Sequence, residues 1–593
     1  MNAVRRTPFW LVVLSVISLV SGAARATVYV VDQVAPGAAD TNPGTEEKPF
    51  KTIRHAAGVA KPGDTVYVMA GTYDERVKVS AGGTAGRPVA FVARPRRSVT
   101  VRGFDLEASY VRVAGFEITA AAPATAVQLG GSHCEVLDNY IHDMMVAVSG
   151  TDGKPSADGK TRDYSAVSHN RIAYNKVYHS QYGFMLGGED WRVESNEVNR
   201  LFMYTPDNKY ADCDYTRFFG AGCVQRYNYY HGALASETRP AHVDCLQTFM
   251  NNGGMAQDLL FEFNTCFDWG QGAMVESAPH IGSVRNWTWR HNIYSSNLPT
   301  YKGAWGLDII QTPDVTIENN TFAGITWFGV GLRGKESTHG QIRSNLFYDV
   351  PQAVLDGTKD DFTPANPVIE YNLAFKTAPL PVDKNINDKD PLLVDAEKRD
   401  FRLRKGSPAV GAGKGGVTIG AMEWPNVYFV DPRHPAAADE PAWGYPGVPL
   451  ATLAKACAIA QPGETIMLRG GVYRETLRPA SDGVTVRAMK GEKVTVSGAD
   501  LIEGWTREPD GRWSAPLAAE PKKVLRDGRP WSEFDYDKAA RRIMLKTGGD
   551  PRLHLFETLV RERGIDLVGR KNVKVEGVEA IDTLGEVMPS GAK

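Results

Sequence analysis

The stretch WRHNIYSSNLPTYKGAWGLDIIQTPDVTIENNTFAGITWFGVGLRGKESTHGQIRSNLFYDV, residues 289–350, decides the fold. Three times within it an asparagine closes a short strand-like run, at Asn292, Asn320 and Asn345. The same polar-x-Asn-x-apolar pattern recurs in VLDNYI (Asn139), IAYNKV (Asn175), VESNEV (Asn196), FEFNTC (Asn264) and IEYNLA (Asn372). From Asn264 onward the intervals are 28, 28, 25 and 27 residues. That spacing suits one coil of a solenoid per repeat, each coil burying its apolar face against its neighbours. Between the asparagines, YGFMLGG (182–188), DCLQTF (244–249), GAMVES (272–277), GLDIIQ (306–311) and GVGLRG (329–334) alternate. Side chains two apart share a strand face, so Phe184/Leu186, Leu246/Thr248, Ala273/Val275, Leu307/Ile309 and Val330/Leu332 fill the interior. Helical periodicity is weak. The reading is an all-β solenoid whose asparagines form a buried amide ladder at a coil corner, because buried amides persist when hydrogen-bonded.

The chain has 593 residues, too many for one compact core, and its 59 glycines suit many tight turns. A net charge of −2 carries no electrostatic footprint for nucleic acid. Arg5 and Arg6 precede an apolar run from Phe9 to Val20, and Ala24-Arg25-Ala26 supplies a small-x-small cleavage pattern. Residues 1–26 therefore read as a secretory signal peptide, too short for a membrane span, and the expectation is a secreted or periplasmic protein. Six cysteines (134, 213, 223, 245, 266, 457) could pair in an exported chain, with Cys213 and Cys223 the nearest couple. Buried free thiols are the other reading, and connectivity stays open.

The segment VYVVDQVAPGAADTNPGTEEKPFKTIRHAAGVAKPGDTVYVMAGTYDERV (28–77) resembles the entry segment of secreted right-handed parallel β-helix proteins related to pectate lyases. In that resemblance TIRHAAGVA is a capping helix over the first coil. DFRLRKGSPAVGAG…IGAMEW (400–424) is similar to the closing segment of the same group. The resemblance covers residues 27–424 and implies a right-handed parallel β-helix with a carbohydrate-processing cleft. The entry then repeats: VYFVD (427–431) matches VYVVD (28–32), PLATLAKACAIAQPGETIML (449–468) matches PFKTIRHAAGVAKPGDTVYV (49–68), and GVYRE (471–475) matches GTYDE (71–75). A second β-helix module is expected over 425–593, carrying an insertion of short antiparallel strands.

Outward positions on the alternating strands fall into two rows. One holds Met185, Gln247, Met274, Asp308 and Gly331; the next holds Gly187, Phe249, Glu276, Ile310 and Arg333. HVDCLQ brings His242 and Asp244 just ahead of Gln247. Rungs about 4.8 Å apart make such a face a groove for a linear polymer. The interval of 68 residues from Asn196 to Asn264 reads as one coil with an aromatic insertion at about 201–241. There Tyr229, Tyr230 and His231 would be sugar contacts beside Gln247.

Two chemistries suit the groove. β-Elimination needs positive charge at a uronate carboxylate and a base for the adjacent proton. The lyases that this chain resembles use Ca²⁺ held by acidic residues, with Lys or Arg as base. The resemblance thus implies Asp244, Glu276 and Asp308 as oxygen ligands of Ca²⁺. The base candidates are His242, Lys302 and Arg333, and Arg333 doubles as partner of the substrate carboxylate. The tight aspartate cluster of pectate lyases is missing. Hydrolysis by Glu276 and Asp308 as paired carboxylates is the alternative, though the paired-aspartate strand motif of polygalacturonase-like enzymes is absent. A glycan-binding or adhesin solenoid is the non-catalytic alternative. The expectation is an exported, monomeric polysaccharide lyase acting on an acidic polysaccharide.

Overall fold

The computed structural model describes residues 26–155, 162–205, 212–249, 254–277, 282–296, 304–355, 366–422, 427–547 and 549–585. The leader read at 1–26, except Ala26, and Lys302 lie outside them. The architecture is a right-handed parallel β-helix of the pectate-lyase type. Each coil runs through three strands, as in Arg171–Ala173, Lys176–Tyr178 and Tyr182–Glu189, before Arg192–Glu194 begins the next. Successive coils pair in parallel register, with Arg171 opposite Arg192, Lys176 opposite Glu197 and Phe184 opposite Thr216.

The corners follow from backbone chemistry. The residue before each ladder asparagine sits in the left-handed region, from Asp138 (φ 59°) through Tyr174, Ser195, Phe263 and His291 to Tyr371 (φ 59°). The asparagine that follows turns its amide inward. Asn264 Oδ1 accepts from Asn228 N at 3.0 Å and Asn228 Nδ2 at 2.9 Å, and Asn264 Nδ2 donates onward to Asn292 Oδ1 at 3.1 Å. The interior is as read: Phe184, Leu186, Leu246, Ala273, Val275, Leu307, Ile309 and Val330 are fully enclosed. Tyr294, Phe322 and Phe347 stack in file at 5.1 and 5.2 Å.

The aromatic stretch 201–241 differs from expectation. It is a full coil, built from Asp212–Arg226 and Tyr229–His231, and Asn228 is its ladder asparagine. Tyr215, Phe218 and Tyr230 point into the core, which is why so many aromatics collect there. Cys213 and Cys223 stand near opposite ends of the one strand Asp212–Arg226, beyond disulfide reach, and all six cysteines are buried free thiols.

After the last coils, residues 393–422 fold back across the outer face that Tyr229, Phe267, Ile293, Leu346 and Leu373 present, forming a separate apolar layer with Phe401, Ile419 and Tyr445. A second parallel stack then begins with Val427–Val430, Thr465–Leu468, Thr485–Ala488 and Lys574–Glu576. Two small antiparallel sheets interrupt it between residues 499 and 559. The repeated entry sequence produces repeated bonds. Glu75 accepts from the first backbone N–H groups of the helix Ile53–Val59, and Glu475 does so for Leu453–Ile459. Tyr73 and Tyr473 each donate to the first strand, at Val31 O and Val430 O. The second stack docks on the first through Arg469 over the Tyr227 ring and through neutral His434, whose Nε2–H donates to Tyr227 O.

Candidate active site

The face that matters is built by Tyr182–Glu189, Asp212–Arg226, His242–Phe249, Gln271–Glu276, Leu307–Ile310 and Phe328–Arg333. Its register confirms the first outward row and adds a member: Met185, Arg217, Gln247, Met274, Asp308 and Gly331 stand in line. A second file runs Tyr182, Asp214, Asp244, Gln271, and ahead of it Asp212 stands beside His242.

The strand chemistry places these groups. Val243 and Cys245 point inward, so Asp244 points out; a local bend then turns Leu246 inward and Gln247 out. The strand Asp212–Arg226 bends likewise, with Tyr215 and Thr216 both enclosed. Asp212, Asp214 and Arg217 are therefore neighbours of His242, Asp244 and Gln247 across one rung.

Three aspartates and one arginine dominate the cluster. Arg217 Nη2 donates to Asp212 Oδ2 at 2.5 Å, and its Nε donates to Asp214 Oδ2. Its guanidinium lies over Tyr182 at 4.9 Å and Phe249 at 5.5 Å. Gln247 Nε2 donates to Asp244 Oδ2 at 3.1 Å. Asp214 and Asp244, although outward, are 1% and 0% exposed. Neither Oδ1 atom receives a hydrogen from elsewhere among the described residues, and the two carboxyls meet each other. Only a proton held between them makes that contact a hydrogen bond. Burial, followed by the charges of Asp214 and Asp212, drives the Asp244 carboxyl well above its ordinary range. Burial pushes Asp214 up to about 6 against the pull of Arg217. At the rim, His242 is 61% exposed and its Nδ1 lies 3.5 Å from Asp212 Oδ1.

Farther along the row, Arg333 grips Asp308 from its Nε at 2.8 Å and its Nη2 at 2.5 Å. Gly331, opposite Asp308, leaves the room: a Cβ there would sit 3.0 Å from Asp308 Oδ1. Glu276 stands one rung before Asp308 and two residues along. Burial and the Asp308 charge raise its carboxyl above the usual range.

Several expectations need correction. Arg333, read as a base candidate and partner of the substrate carboxylate, is engaged by Asp308. The Ca²⁺ triad does not form, because Asp244 is sealed against Asp214 and Gln247, Asp308 is gripped by Arg333, and Glu276 lies in another file. Among the described residues no three His, Cys, Asp or Glu side chains converge as a ligand set. The donor set therefore does not fit the cation. Tyr229, Tyr230 and His231 are not groove residues. Tyr230 is core, Tyr229 is covered by the returning chain, and His231 stacks on Tyr229 and bonds Glu197 at 3.1 Å. Sequence reasoning missed Arg217, Asp212 and Asp214. The signal was Arg226-Tyr-Asn-Tyr-Tyr230, a ladder motif hidden in its aromatics.

A cleft of about 730 Å³ lies elsewhere, between the first entry segment and the inserted sheets. Its charges are engaged across it, Arg552 with Asp32 at 3.7 Å and Glu46 with Asp550 N. No histidine lines it, so the outward ladder with His242 at its rim is the better candidate.

Residues 32–195 match the model of the Pel9A-like right-handed β-helix region. That match ends before the Asp212–Asp244 cluster, so it speaks for the fold alone. Uncharacterized protein YwoF of Bacillus subtilis (strain 168) is 32% identical over 129 residues, which span 18% of this chain and 28% of that protein. Pectate lyase Pel9A is 16% identical, with a TM-score of 0.37 over 68% of this chain and 97% of that one. The PL6 family alginate lyase AlyGC is 14% identical, with a TM-score of 0.40 over 74% and 67%. A GH136 lacto-N-biosidase from Eubacterium ramulus is 12% identical, with a TM-score of 0.38 over 61% and 68%. Among the described residues no helix is long and apolar enough to cross a membrane.

Proposed function

We propose that this protein is an exported carbohydrate-active enzyme, a polysaccharide lyase that cleaves a uronic-acid-containing polymer by β-elimination. One observation carries the reading: His242, braced by Asp212, stands exposed at the rim of an outward ladder that also bears guanidinium groups. A base for the proton beside the carboxylate and positive charge for the carboxylate are the two things elimination needs. With its Nδ1 side toward Asp212, His242 presents Nε2 as the base. The proton leaves the carbon that carries the carboxylate, its electron pair forms the new C=C bond, and the bond to the glycosidic oxygen breaks. The departing oxygen takes up a proton. The leader-like residues 1–26 support export.

Glu276 and Asp308 support a second reading, hydrolysis. Burial and the Asp308 charge raise Glu276, while Asp308 is held by the Arg333 guanidinium, and two carboxyls in such different environments suit an acid and its partner.

The test is ultraviolet absorbance during incubation with a panel of uronic-acid polymers. A rising unsaturated-uronate band establishes elimination, and His242→Ala should lower its rate roughly 100-fold or more, as loss of a general base does. If that variant keeps its rate and Lys302→Ala loses it, the base is Lys302. New reducing ends without the band, abolished in Glu276→Gln, would establish the hydrolase. Neither product across the panel would leave a glycan-binding solenoid.

A further inference from the structure

We propose that Arg217 receives the carboxylate of an acidic sugar in this groove, and that Asp214 and Asp244 act as one positioning unit for its guanidinium. The substrate class rests on the reading above; the geometry does not. Arg217 and His242 hang on opposite oxygens of one carboxylate, Asp212 Oδ2 and Oδ1. A carboxylate held by Arg217 therefore lies within reach of the imidazole. Among the described residues no other cation of the ladder stands so: Arg333 lies three rungs farther on than Gln247.

The guanidinium is fixed on most of its perimeter. Asp214 takes Nε, Asp212 takes Nη2, and Tyr182 and Phe249 lie against it. Nη1 has no hydrogen-bond partner among the described residues. A fixed fork with one edge left over is what carboxylate recognition uses. The positive charge that a divalent cation would bring is then supplied by the protein, in keeping with a donor set that does not fit such a cation.

The aspartate pair gives the fork its aim. Asp214 and Asp244 sit on adjacent rungs with their carboxyls meeting, the Oδ1 of each is buried without a partner among the described residues, and so is Gln247 Oε1. Two acceptors in contact require a shared proton, which leaves one negative charge for Arg217 Nε. Asp244 touches no substrate in this arrangement. It acts through Asp214 on Arg217 and through Gln247.

The experiment is calorimetric binding of galacturonic acid, with neutral galactose as control, to the full chain in a chelator. Wild type should bind the uronic acid without a divalent cation. Arg217→Gln should weaken it about tenfold or more, the worth of a charged hydrogen bond, and Arg217→Lys should recover only part. Asp244→Ala should also weaken it, and Asp244→Asn, which replaces the shared proton with an amide hydrogen, should restore it. Circular dichroism checks that each variant is folded. Uronate affinity unchanged in Arg217→Gln, abolished by chelator in wild type, or absent altogether would overturn the proposal. Binding through Arg217 with no unsaturated product would keep this inference and sink the lyase.

Discussion

Two stacks of identical polar side chains run through the same solenoid, one of amides and one of carboxyls, and they behave oppositely. In the amide stack Asn228, Asn264, Asn292, Asn320, Asn345 and Asn372 repeat one bond pattern rung after rung. An amide carries a donor and an acceptor, so moving it by one rung sets each against its complement. The carboxyl stack, Asp214 on Asp244, sets acceptor against acceptor. It extends over two rungs, closes only with a proton, and has Gln271 in the next place along the file. The same geometry is structural with one side chain and titratable with the other.

The largest effect should come from breaking the amide stack. Asn264→Ala leaves the Asn228 N–H without its acceptor, strips Asn228 Nδ2 of one of its two acceptors and removes the amide that donates to Gln225 O, while Asn292 Oδ1 keeps only the backbone N–H of residue 264. Buried groups stranded in this way cost about 1–3 kcal/mol each, so the loss should reach roughly 3 kcal/mol or more. Urea unfolding measures it. A loss below about 1 kcal/mol would show that the ladder is incidental to the corners. Asn264→Asp sharpens the comparison by placing a carboxyl in the amide file. Its stability should fall as pH rises, because only the protonated acid can still donate.

That pH dependence should already exist in the wild type at Asp244. Its carboxyl is raised far above the ordinary 3.8 by burial and by Asp214 and Asp212. Between those two values the folded chain holds a proton that the unfolded chain has released. The stability from that proton is full below the ordinary value and is lost as pH rises through the folded one. The groups around it are Asp212, Asp214, Arg217 and His242, and Asp244→Asn removes the titration while leaving them in place. The variant should gain on wild type steadily from acid toward neutral pH in urea unfolding. Parallel stability curves for the two proteins would mean that Asp244 and Asp214 do not share a proton.

How much of this could be read beforehand depends on which contacts set the signal. Asparagine spacing and strand alternation depend on neighbours one coil away, so the coils, their interior and the outward rows were legible. The coil at Asn228 was not, because its strand places Gln225 where the others place Ile, Val, Phe or Trp. That glutamine is fully buried and its Oε1 accepts from Tyr230 Oη at 3.1 Å, a contact with no sequence signature. Missing one coil hid Asp212, Asp214 and Arg217 together. Direction was legible, but exposure was not. Asp244 points outward and is sealed by its neighbours, while Tyr229 points outward under chain that returns from 130 residues or more beyond it.

A third arrangement of carboxyls completes the comparison and has the smallest effect. At the two entry segments the acids face donors instead of each other. Asp40 accepts from Lys51 N, Thr52 N and the Thr52 hydroxyl, and Asp439 repeats this with Ala451 N, Thr452 N and the Thr452 hydroxyl. Burial alone would raise Asp40, yet the Thr52 hydroxyl and backbone hydrogens outweigh it and hold the carboxyl below its usual value. Its contribution is therefore present above the ordinary value of 3.8 and lost as pH falls, the reverse of Asp244. Each threonine also caps its helix, Thr52 Oγ1 accepting from His55 N and Thr452 Oγ1 from Lys455 N. Thr52→Ala and Thr452→Ala should each cost about 1 kcal/mol near neutral pH, the usual worth of such a cap. The Thr52→Ala deficit should shrink in acid, where Asp40 is protonated in both proteins. Thermal unfolding of both variants at neutral and acid pH decides the matter. A deficit that grows in acid would mean that facing donors do not account for the lowered carboxyl, and the contrast with the Asp214–Asp244 pair would need another cause.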